Sequence, residues 1–290
     1  MSKFYEPEIL KQVQQMELEI LRDFMDVCEE NGLRYFGFAG TGIGAIRHGG
    51  FIPWDDDIDV AMPRADFEKA MAIIEKQYAD KYYILNTEHD PAYPLMTTRL
   101  CRKGTRFVEE AIKDVTCNFG IFLDLYPYDN LADGKFAYNR QVWSAWFWSK
   151  LLILRSIPHP YMSLTGWKRS VAQGICGFVS GTMKLFHISP QWLYRRCKNQ
   201  CRKYENQETK RMGFPCDTDP NWNTIEKAET YPLIQYDFED LKLNFPKNID
   251  GMLRNFYGDY MVLPPVEKRK THYPYILDFG DGVNRAEEKK

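Results

Sequence analysis

The sequence predicts an α/β (α+β) protein, with a mixed sheet, flanking helices and a helical insertion. Residues 7–31 repeat apolar side chains at steps of three or four, which is typical of an amphipathic helix. Residues 57–62 and 119–126 alternate apolar and polar side chains, which is typical of strands with one buried face. Residues 134–212 lack such alternation and are rich in Trp, Leu, Lys and Arg, so we interpret them as helical.

The remaining elements follow in chain order. Gly32 indicates the end of the first helix, and the short aromatic segment 33–39 predicts a strand. Residues 64–78 again have helical spacing. Residues 82–86 and 97–109 predict strands, and we expect the second segment to fold as a hairpin at its Arg-Lys-Gly turn.

We therefore expect a core in residues 1–133, the helical insertion in 134–212, and a C-terminal part in 213–290 that packs back on the core. The insertion faces the acceptor or a membrane in this interpretation. No segment reaches the roughly 20 apolar residues that a transmembrane helix requires.

Composition and charge exclude some classes of partner. The net charge of -2, without a basic arm, argues against a nucleic-acid partner. The seven cysteines are odd in number and form no CxxC, and MSKFYEPEIL lacks the apolar core of a signal peptide. We expect a cytoplasmic protein with free thiols. A zinc site is a weaker interpretation, because the spacing fits no standard finger; its ligands would be Cys197, Cys201 and Cys216.

An acidic run follows a glycine-rich segment. Residues 40–50 contain five glycines, which predicts a loop that turns tightly or approaches a ligand closely. In the run WDDDID, alternation places Asp57 and Asp59 on one face, about 6–7 Å apart along the strand. A hard cation, Mg²⁺ or Mn²⁺, would offset their repulsion. Asp124 would complete the metal site if its strand is a neighbour. The alternative is a solvated acidic turn.

Such a site suits phosphoryl transfer. A cation that bridges diphosphate oxygens neutralises the charge that develops there, and a nearby carboxylate can accept the proton of an attacking hydroxyl. Backbone N–H groups of the glycine-rich segment would bind the phosphates. We therefore expect Asp57, Asp59 and Asp124 to be both metal ligands and catalytic residues.

Three segments, 38–69, 122–129 and 257–273, resemble the LicD family, which includes fukutin-related proteins and lies within the nucleotidyltransferase-fold superfamily. The first segment reads FAGTGIGAIRHGGFIPWDDDIDVAMPRADFEK. The resemblance implies a nucleotidyltransferase-like core. It also implies transfer of phosphocholine, or a related phospho-alcohol, from a CDP-linked donor to a glycan such as teichoic acid or lipopolysaccharide, or to its lipid-linked precursor, with release of CMP.

By the same resemblance, Gly40 and Thr41 match a phosphate-contacting position, and the three aspartates match the metal pair and third acid. Three further positions match the family without an assigned role, and we include them as candidates for nucleotide or phosphate binding: Arg47, His48 and Trp54. The family often has a His-His pair where this chain has His272-Tyr273.

Several alternatives stay open. The tryptophans of 143–148 suit the insertion's own core, peripheral contact with the inner membrane face, or choline recognition. Two other functions are a nucleotidyltransferase that uses an NTP and releases pyrophosphate, and a non-catalytic scaffold with the same fold. The sequence leaves open the alcohol, the acceptor glycan and the oligomeric state.

Overall fold

The structure, a computed structural model, describes residues 4–160, 162, 164–269 and 271–286. Its helices are α1 (Pro7–Glu30), α2 (Ala39–His48), α3 (Arg64–Gln77), α4 (Lys135–Ser156), α5 (Gly166–Leu185), α6 (Pro190–Cys201), α7 (Lys227–Thr230) and α8 (Ile249–Tyr257). Its strands are β1 (Phe36–Gly37), β2 (Asp59–Pro63), β3 (Tyr82–Leu85), β4 (Thr98–Arg102), β5 (Arg106–Glu109), β6 (Phe122–Leu131), β7 (Arg211–Gly213), β8 (Thr224–Glu226), β9 (Ile234–Phe238), β10 (Leu241–Phe245) and β11 (Pro274–Asp278).

The main sheet is mixed. Its order is β1-β2-β6-β4-β3, and β7 and β8 continue it from the second half of β6. Strands β2 and β6 are parallel, whereas the other pairs are antiparallel. Helices and a mixed sheet in one chain confirm the α+β class.

Alternation along β2 and β6 gives the sheet two apolar faces. Val60 and Met62 lie in the larger core with α1 and α3, whereas Ala61 between them lies in a second core. On β6, Leu123 and Leu125 join the larger core and Tyr128 joins the second. The sheet therefore packs α1 and α3 on one side and α4 and α6 on the other.

Helix α1 confirms its prediction closely. Its buried residues include Val13, Ile20, Phe24 and Val27, spaced as one helical face. Gly32 follows the helix with a φ of 61°, a left-handed conformation that glycine adopts without strain.

The glycine-rich segment is a helix, so its prediction as a loop was wrong. Residues 39–48 form α2, and its glycines allow close packing instead of turning the chain. A Cβ on Gly44 would lie 2.3 Å from the Gly50 carbonyl oxygen, and one on Gly42 would lie 3.2 Å from Ile249 Cδ1. Close approach of neighbouring backbone and side chains offsets the helix propensity that glycine loses.

The expected hairpin within 97–109 was also wrong. Strand β4 pairs with β3 and β6, whereas β5 leaves the main sheet and pairs with β11. Gly104 lies between them with a φ of 82°. The turn therefore directs the chain towards the C-terminal strand.

Three helices, α4 to α6, occupy most of residues 134–212 and pack on the second core. Within the described residues, no helix combines the length and the apolar character that crossing a membrane requires. Parts of 213–286 contact the first half of the chain, since β10 contacts β1 and α8 contacts α2. The division into three parts stays a prediction.

Candidate active site

The adjacent parallel strands β2 and β6 bring the predicted aspartates together. Asp59 begins β2, and its register partner on β6 is Asp124. The Asp124 N–H donates to the Ile58 carbonyl over 3.1 Å, which extends the pairing by one residue. The two strands are neighbours, which is the condition that the sequence analysis set for Asp124.

Two cavities meet at these acids. We call the first the aromatic cavity; Asp57 and Asp59 line it, with Phe36, Phe38, Tyr126, Tyr128, Trp222, Phe256 and Tyr257. We call the second the polar cavity; Asp57 and Asp124 line it, with Arg99, Glu109 and Lys150. Their volumes are about 200 and 280 Å³.

Asp57 lies at the junction of the two cavities, which share it with Tyr126, Asp217 and His272. A molecule in one cavity would therefore meet a molecule in the other beside this carboxylate. Reactions that move a group between two substrates need such an arrangement.

Among the described residues, a close group of possible cation ligands at the junction comprises Asp55, Asp56, Asp57 and His272, whose ligand atoms lie within 4.8 Å of one another. His272 Nδ1 is 3.3 Å from Asp57 Oδ2 and 3.4 Å from Asp56 Oδ1. Asp56 is fully buried and accepts hydrogen bonds from the Tyr5 hydroxyl and the His272 backbone N–H. Asp56 therefore anchors the C-terminal segment beside the site.

Electrostatics at the junction are dominated by unneutralised carboxylates. Burial, followed by the charges of Asp57 and Asp124, raises the pKa of Asp59 well above its ordinary value. Burial also raises the pKa of Asp57 to about 6, against the opposing effect of His272. The Asp57 carboxylate in turn raises the pKa of His272 to about 11, so this imidazole is protonated at neutral pH.

The Arg99 guanidinium offsets the negative charge of Asp124 in the polar cavity. Its guanidinium lies 3.3 Å from Asp124 Oδ1 and 3.2 Å from both oxygens of Glu109. It also stacks 3.8 Å from the centre of the Phe122 ring. All of its polar contacts are with two acids, so Arg99 fixes the orientation of Asp124.

Glu17 of α1 is a buried carboxyl group behind the acidic cluster. Neither of its oxygens has a hydrogen-bond partner among the described residues. Burial, followed by the charges of Asp57 and Asp56, raises its pKa well above the ordinary value. Glu17 therefore holds its proton more tightly in the fold than in the unfolded chain, because of burial and the neighbouring negative charges.

This donor set fits a hard divalent cation. Carboxylate oxygens are the ligands that Mg²⁺ and Mn²⁺ prefer, and burial, followed by the charges of neighbouring aspartates, raises the pKa values of Asp55 and Asp59. Asp57 belongs both to the predicted triad and to the close group. The assignment of Asp59 and Asp124 as ligands stays a prediction.

Gly40 and Thr41 support the acids. The Asp59 N–H donates to Thr41 Oγ1 over 2.8 Å, and Thr41 is buried. A Cβ on Gly40 would lie 2.9 Å from Asp55 Oδ2, so glycine allows this carboxylate to approach the start of α2. The expected phosphate contact by the Thr41 side chain is therefore not supported. Ala39, the first residue of α2, lines the aromatic cavity.

Arg47 and His48 lie in the last turn of α2, and their contact with a nucleotide or phosphate stays a prediction. A helix rises 1.5 Å per residue, so they are about 12 Å along the axis from Ala39. Arg47 donates to His48 Nε2 and to the Tyr260 carbonyl. Both residues were predicted to lie in a loop, whereas in the structure they lie in the last turn of a helix.

Trp54 is also occupied by other contacts. It packs against the larger core, and the Arg269 guanidinium lies 4.1 Å from its ring centre. Stacking of this kind fixes the segment that leads into the acidic run. Nucleotide contact by Trp54 stays a prediction.

Sequence reasoning missed or undervalued four residues of the site. His272 stands where the family often has a His-His pair, and the missing second histidine weakened the case for its role. In the structure it contacts Asp57 directly. The other three are Arg99, Asp217 and Lys150. Nothing in the sequence distinguished them, because a buried arginine, an isolated aspartate and a lysine in a helix are all common. The Lys150 Nζ donates to the Asp217 carbonyl over 2.9 Å, which joins α4 to the site.

The tryptophans and cysteines of the helical segment have other places. Trp146 donates to the Thr218 carbonyl, and Trp148 packs edge-on against Trp192. None of the tryptophans at 143, 146 and 148 lines either described cavity. The three cysteines of the zinc interpretation do come together and are buried, with Cys197 Sγ 3.4 Å and Cys201 Sγ 3.7 Å from Cys216 Sγ.

Comparisons with known proteins agree with this geometry. The family described as LicD/FKTN/FKRP, nucleotidyltransferase domain, matches residues 32–149. The chain is 25% identical over 283 residues to the lipopolysaccharide cholinephosphotransferase LicD of Haemophilus influenzae, covering 92% of this chain and 98% of that protein. It is 35% identical over 111 residues to an uncharacterized protein of Rickettsia typhi, covering 38% of this chain and 33% of that protein.

The matched region spans α2, the acidic run, β2 and β6, which are the elements that build the acidic junction. Residues 32–149 are therefore similar to the nucleotidyltransferase domain of the LicD/FKTN/FKRP family.

Proposed function

We propose that this protein is a metal-dependent phosphotransferase. It moves a phospho-alcohol, phosphocholine in the first instance, from a CDP-linked donor to a hydroxyl group of a cell-surface glycan or its lipid-linked precursor. The observation that carries the proposal is the position of Asp57 between two cavities, with Asp59 on one side and Asp124 on the other. The relationship to a lipopolysaccharide cholinephosphotransferase supports the reaction class.

The donor occupies the aromatic cavity in this proposal. Ala39, the first residue of α2, lines this cavity, and the N–H groups at a helix N-terminus suit phosphate oxygens. Aromatic faces suit both a nucleobase and a quaternary ammonium, and Trp222 and Tyr257 are the more exposed rings of the lining. Asp217 adds a negative charge that favours choline over an uncharged alcohol.

The acceptor hydroxyl enters through the polar cavity. Its oxygen attacks the distal phosphorus, Asp124 accepts the hydroxyl proton, and the bond from phosphorus to the CMP oxygen breaks. Burial raises the pKa of Asp124 despite Arg99, which favours proton uptake by this carboxylate. Arg99 and Glu109 hold Asp124 in place during the transfer. A divalent cation held by Asp57 and Asp59 would supply charge neutralisation at the diphosphate.

The test is product analysis with purified protein and Mg²⁺. CDP-choline, CDP-ethanolamine, CDP-ribitol and CDP-glycerol are supplied with lipopolysaccharide or teichoic acid, and CMP is measured. We expect CMP from CDP-choline, and a loss of at least about a thousandfold in Asp57→Asn and Asp59→Asn. Asp237→Asn, at an exposed acid of β9, is the matched control and keeps full activity.

Two outcomes would replace the proposal. Pyrophosphate release from CTP, without CMP release from CDP-linked donors, would identify a nucleotidyltransferase that attacks the inner phosphorus. Binding of donors without turnover, unchanged in Asp57→Asn, would identify a non-catalytic scaffold. The crowding of aspartates argues against the scaffold, since their repulsion serves no purpose without a cation.

A further inference from the structure

Charge is distributed very unevenly along the chain. Residues 135–204, which cover α4 to α6, contain twelve of the 38 Lys and Arg residues and none of the 40 Asp and Glu residues. The whole-chain charge of -2, from which we argued against a nucleic-acid partner, averages over this asymmetry. The helical segment is therefore strongly cationic beside an acidic remainder.

Helix α5 adds an exposed apolar face to this basic segment. At 100° per residue, five large apolar side chains fall within an arc of roughly 80°. All five are exposed, from 53% to 76%: Trp167, Val171, Ile175, Phe178 and Leu185. Phe186, just after the helix, is 71% exposed. Soluble surfaces rarely present so many large apolar groups in one stripe.

Helix α5 packs on the protein through its opposite side. Its buried residues are Ser180 and Met183, and it contacts α4. The charged residues of the helix are Lys168 and Arg169 in its first turn and Lys184 in its last turn, and at 100° per residue only Lys168 borders the apolar stripe. This pattern of an apolar face with basic ends is typical of helices that lie in the plane of a membrane surface.

Helix α4 connects this face to the candidate site. Its residues Ser149, Lys150 and Ile153 line the polar cavity, while its other contacts include α5. Helix α5, which carries the stripe, thus packs against the helix that lines the cavity we assign to the acceptor. A surface held against α5 would present lipid-linked molecules near that cavity.

We propose that the apolar stripe of α5 inserts into the headgroup region of a membrane with anionic lipids, with α5 parallel to the surface. The basic residues of 135–204 provide complementary charge, and the apolar stripe provides burial that nucleic acid would not require. The placement of the acceptor rests on the proposed function, whereas membrane binding does not.

The experiment measures co-flotation of the full-length protein with vesicles of equal parts phosphatidylcholine and phosphatidylglycerol. We expect wild-type protein to float with these vesicles, and to bind pure phosphatidylcholine at least about tenfold more weakly. The double variant Trp167→Ser/Phe178→Ser should lose at least about tenfold in partition coefficient. Val262→Ser/Val283→Ser, also exposed apolar positions, is the matched control and binds as wild type.

The triple variant Lys168→Gln/Arg169→Gln/Lys184→Gln tests the charge separately and should bind the anionic vesicles more weakly than wild type. Added salt should likewise weaken binding by the wild type. Circular dichroism verifies that each variant is folded. Absence of vesicle binding by the wild type, or unchanged binding by the Trp167/Phe178 variant, overturns the proposal. If the wild type forms a dimer that this variant abolishes, and does not bind vesicles, the stripe contacts a second copy of the chain instead of a membrane. Vesicle binding without CMP release keeps this inference and refutes only the proposed function.

Discussion

Glu17 shows at the scale of one residue how the acidic site acts on the fold. Its carboxyl group is fully buried, lacks a hydrogen-bond partner among the described residues, and has a pKa well above the ordinary value. An unfolded chain releases this proton above pH 4.5, so folding must take the proton up again. Stability therefore falls as the pH rises through this range.

We predict that Glu17→Gln reverses this loss in metal-free protein. Glutamine cannot ionise, so the variant should gain stability over wild type by about 1.4 kcal/mol for each pH unit above 4.5, as long as the pH stays below the pKa of Glu17 in the fold. Urea unfolding at a series of pH values in EDTA measures the difference. A difference that is independent of pH would contradict the protonated state.

The site residues that could be predicted are those whose spacing carries information. Asp57 and Asp59 are spaced as one face of a strand, and Asp124 has the same phase in another segment, so a shared site could be predicted if the two strands were neighbours. Glu17 and Arg99 could not be predicted, because a helix face and an isolated strand position give no indication of which acids lie behind them. His272 depends on a contact across more than 200 residues of sequence.

At the scale of elements, α2 shows glycine used for close packing. We predict that Gly44→Ala destabilises the protein by about 1–3 kcal/mol, since the new Cβ would lie 2.3 Å from the Gly50 carbonyl oxygen. Gly181→Ala is the matched control, because it lies in helix α5 with no atom within 4 Å of the new Cβ. The control should be neutral or stabilising by up to about 1 kcal/mol. Thermal unfolding of both variants compares them.

The buried pair Arg64–Asp129 joins the start of α3 to β6. The guanidinium makes two hydrogen bonds, of 2.9 and 2.7 Å, and both side chains are almost fully buried. We predict that Asp129→Ala costs about 3–5 kcal/mol, because it leaves a buried positive charge without a partner. Asp237→Ala, in an exposed pair with Lys242, should cost at most about 1 kcal/mol. A similar cost for both would contradict this account.

Local periodicity predicted the elements that bury one face in the core, such as α1 and α3. It failed for residues 40–50, where glycine composition predicts a loop but packing against Gly50 and Ile249 requires a glycine-rich helix. It also failed for residues 97–109, because Gly104 permits a turn both when the next strand pairs back on β4 and when it leaves the main sheet. Only the partner of β5, strand β11, decides between these outcomes.

For the whole molecule, function and stability oppose each other at the acidic junction. We predict that Asp59→Asn, while inactive, raises the stability of metal-free protein by about 0.5–2 kcal/mol at pH 7, because it removes a repelled carboxylate. Mg²⁺ should raise the melting temperature of wild type and have little effect on this variant. Differential scanning fluorimetry with Asp237→Asn as control tests both effects. Equal Mg²⁺ responses in wild type and Asp59→Asn would remove Asp59 from the cation site.

The pairing of β5 with β11 has a consequence for biosynthesis. During translation, the aspartates of the main sheet leave the ribosome long before His272 and the last strand do. A nascent chain that has folded only its first half holds these negative groups without the imidazolium, and without the segment anchored on Asp56. The junction of the two cavities is therefore completed only after His272 and β11 have been made.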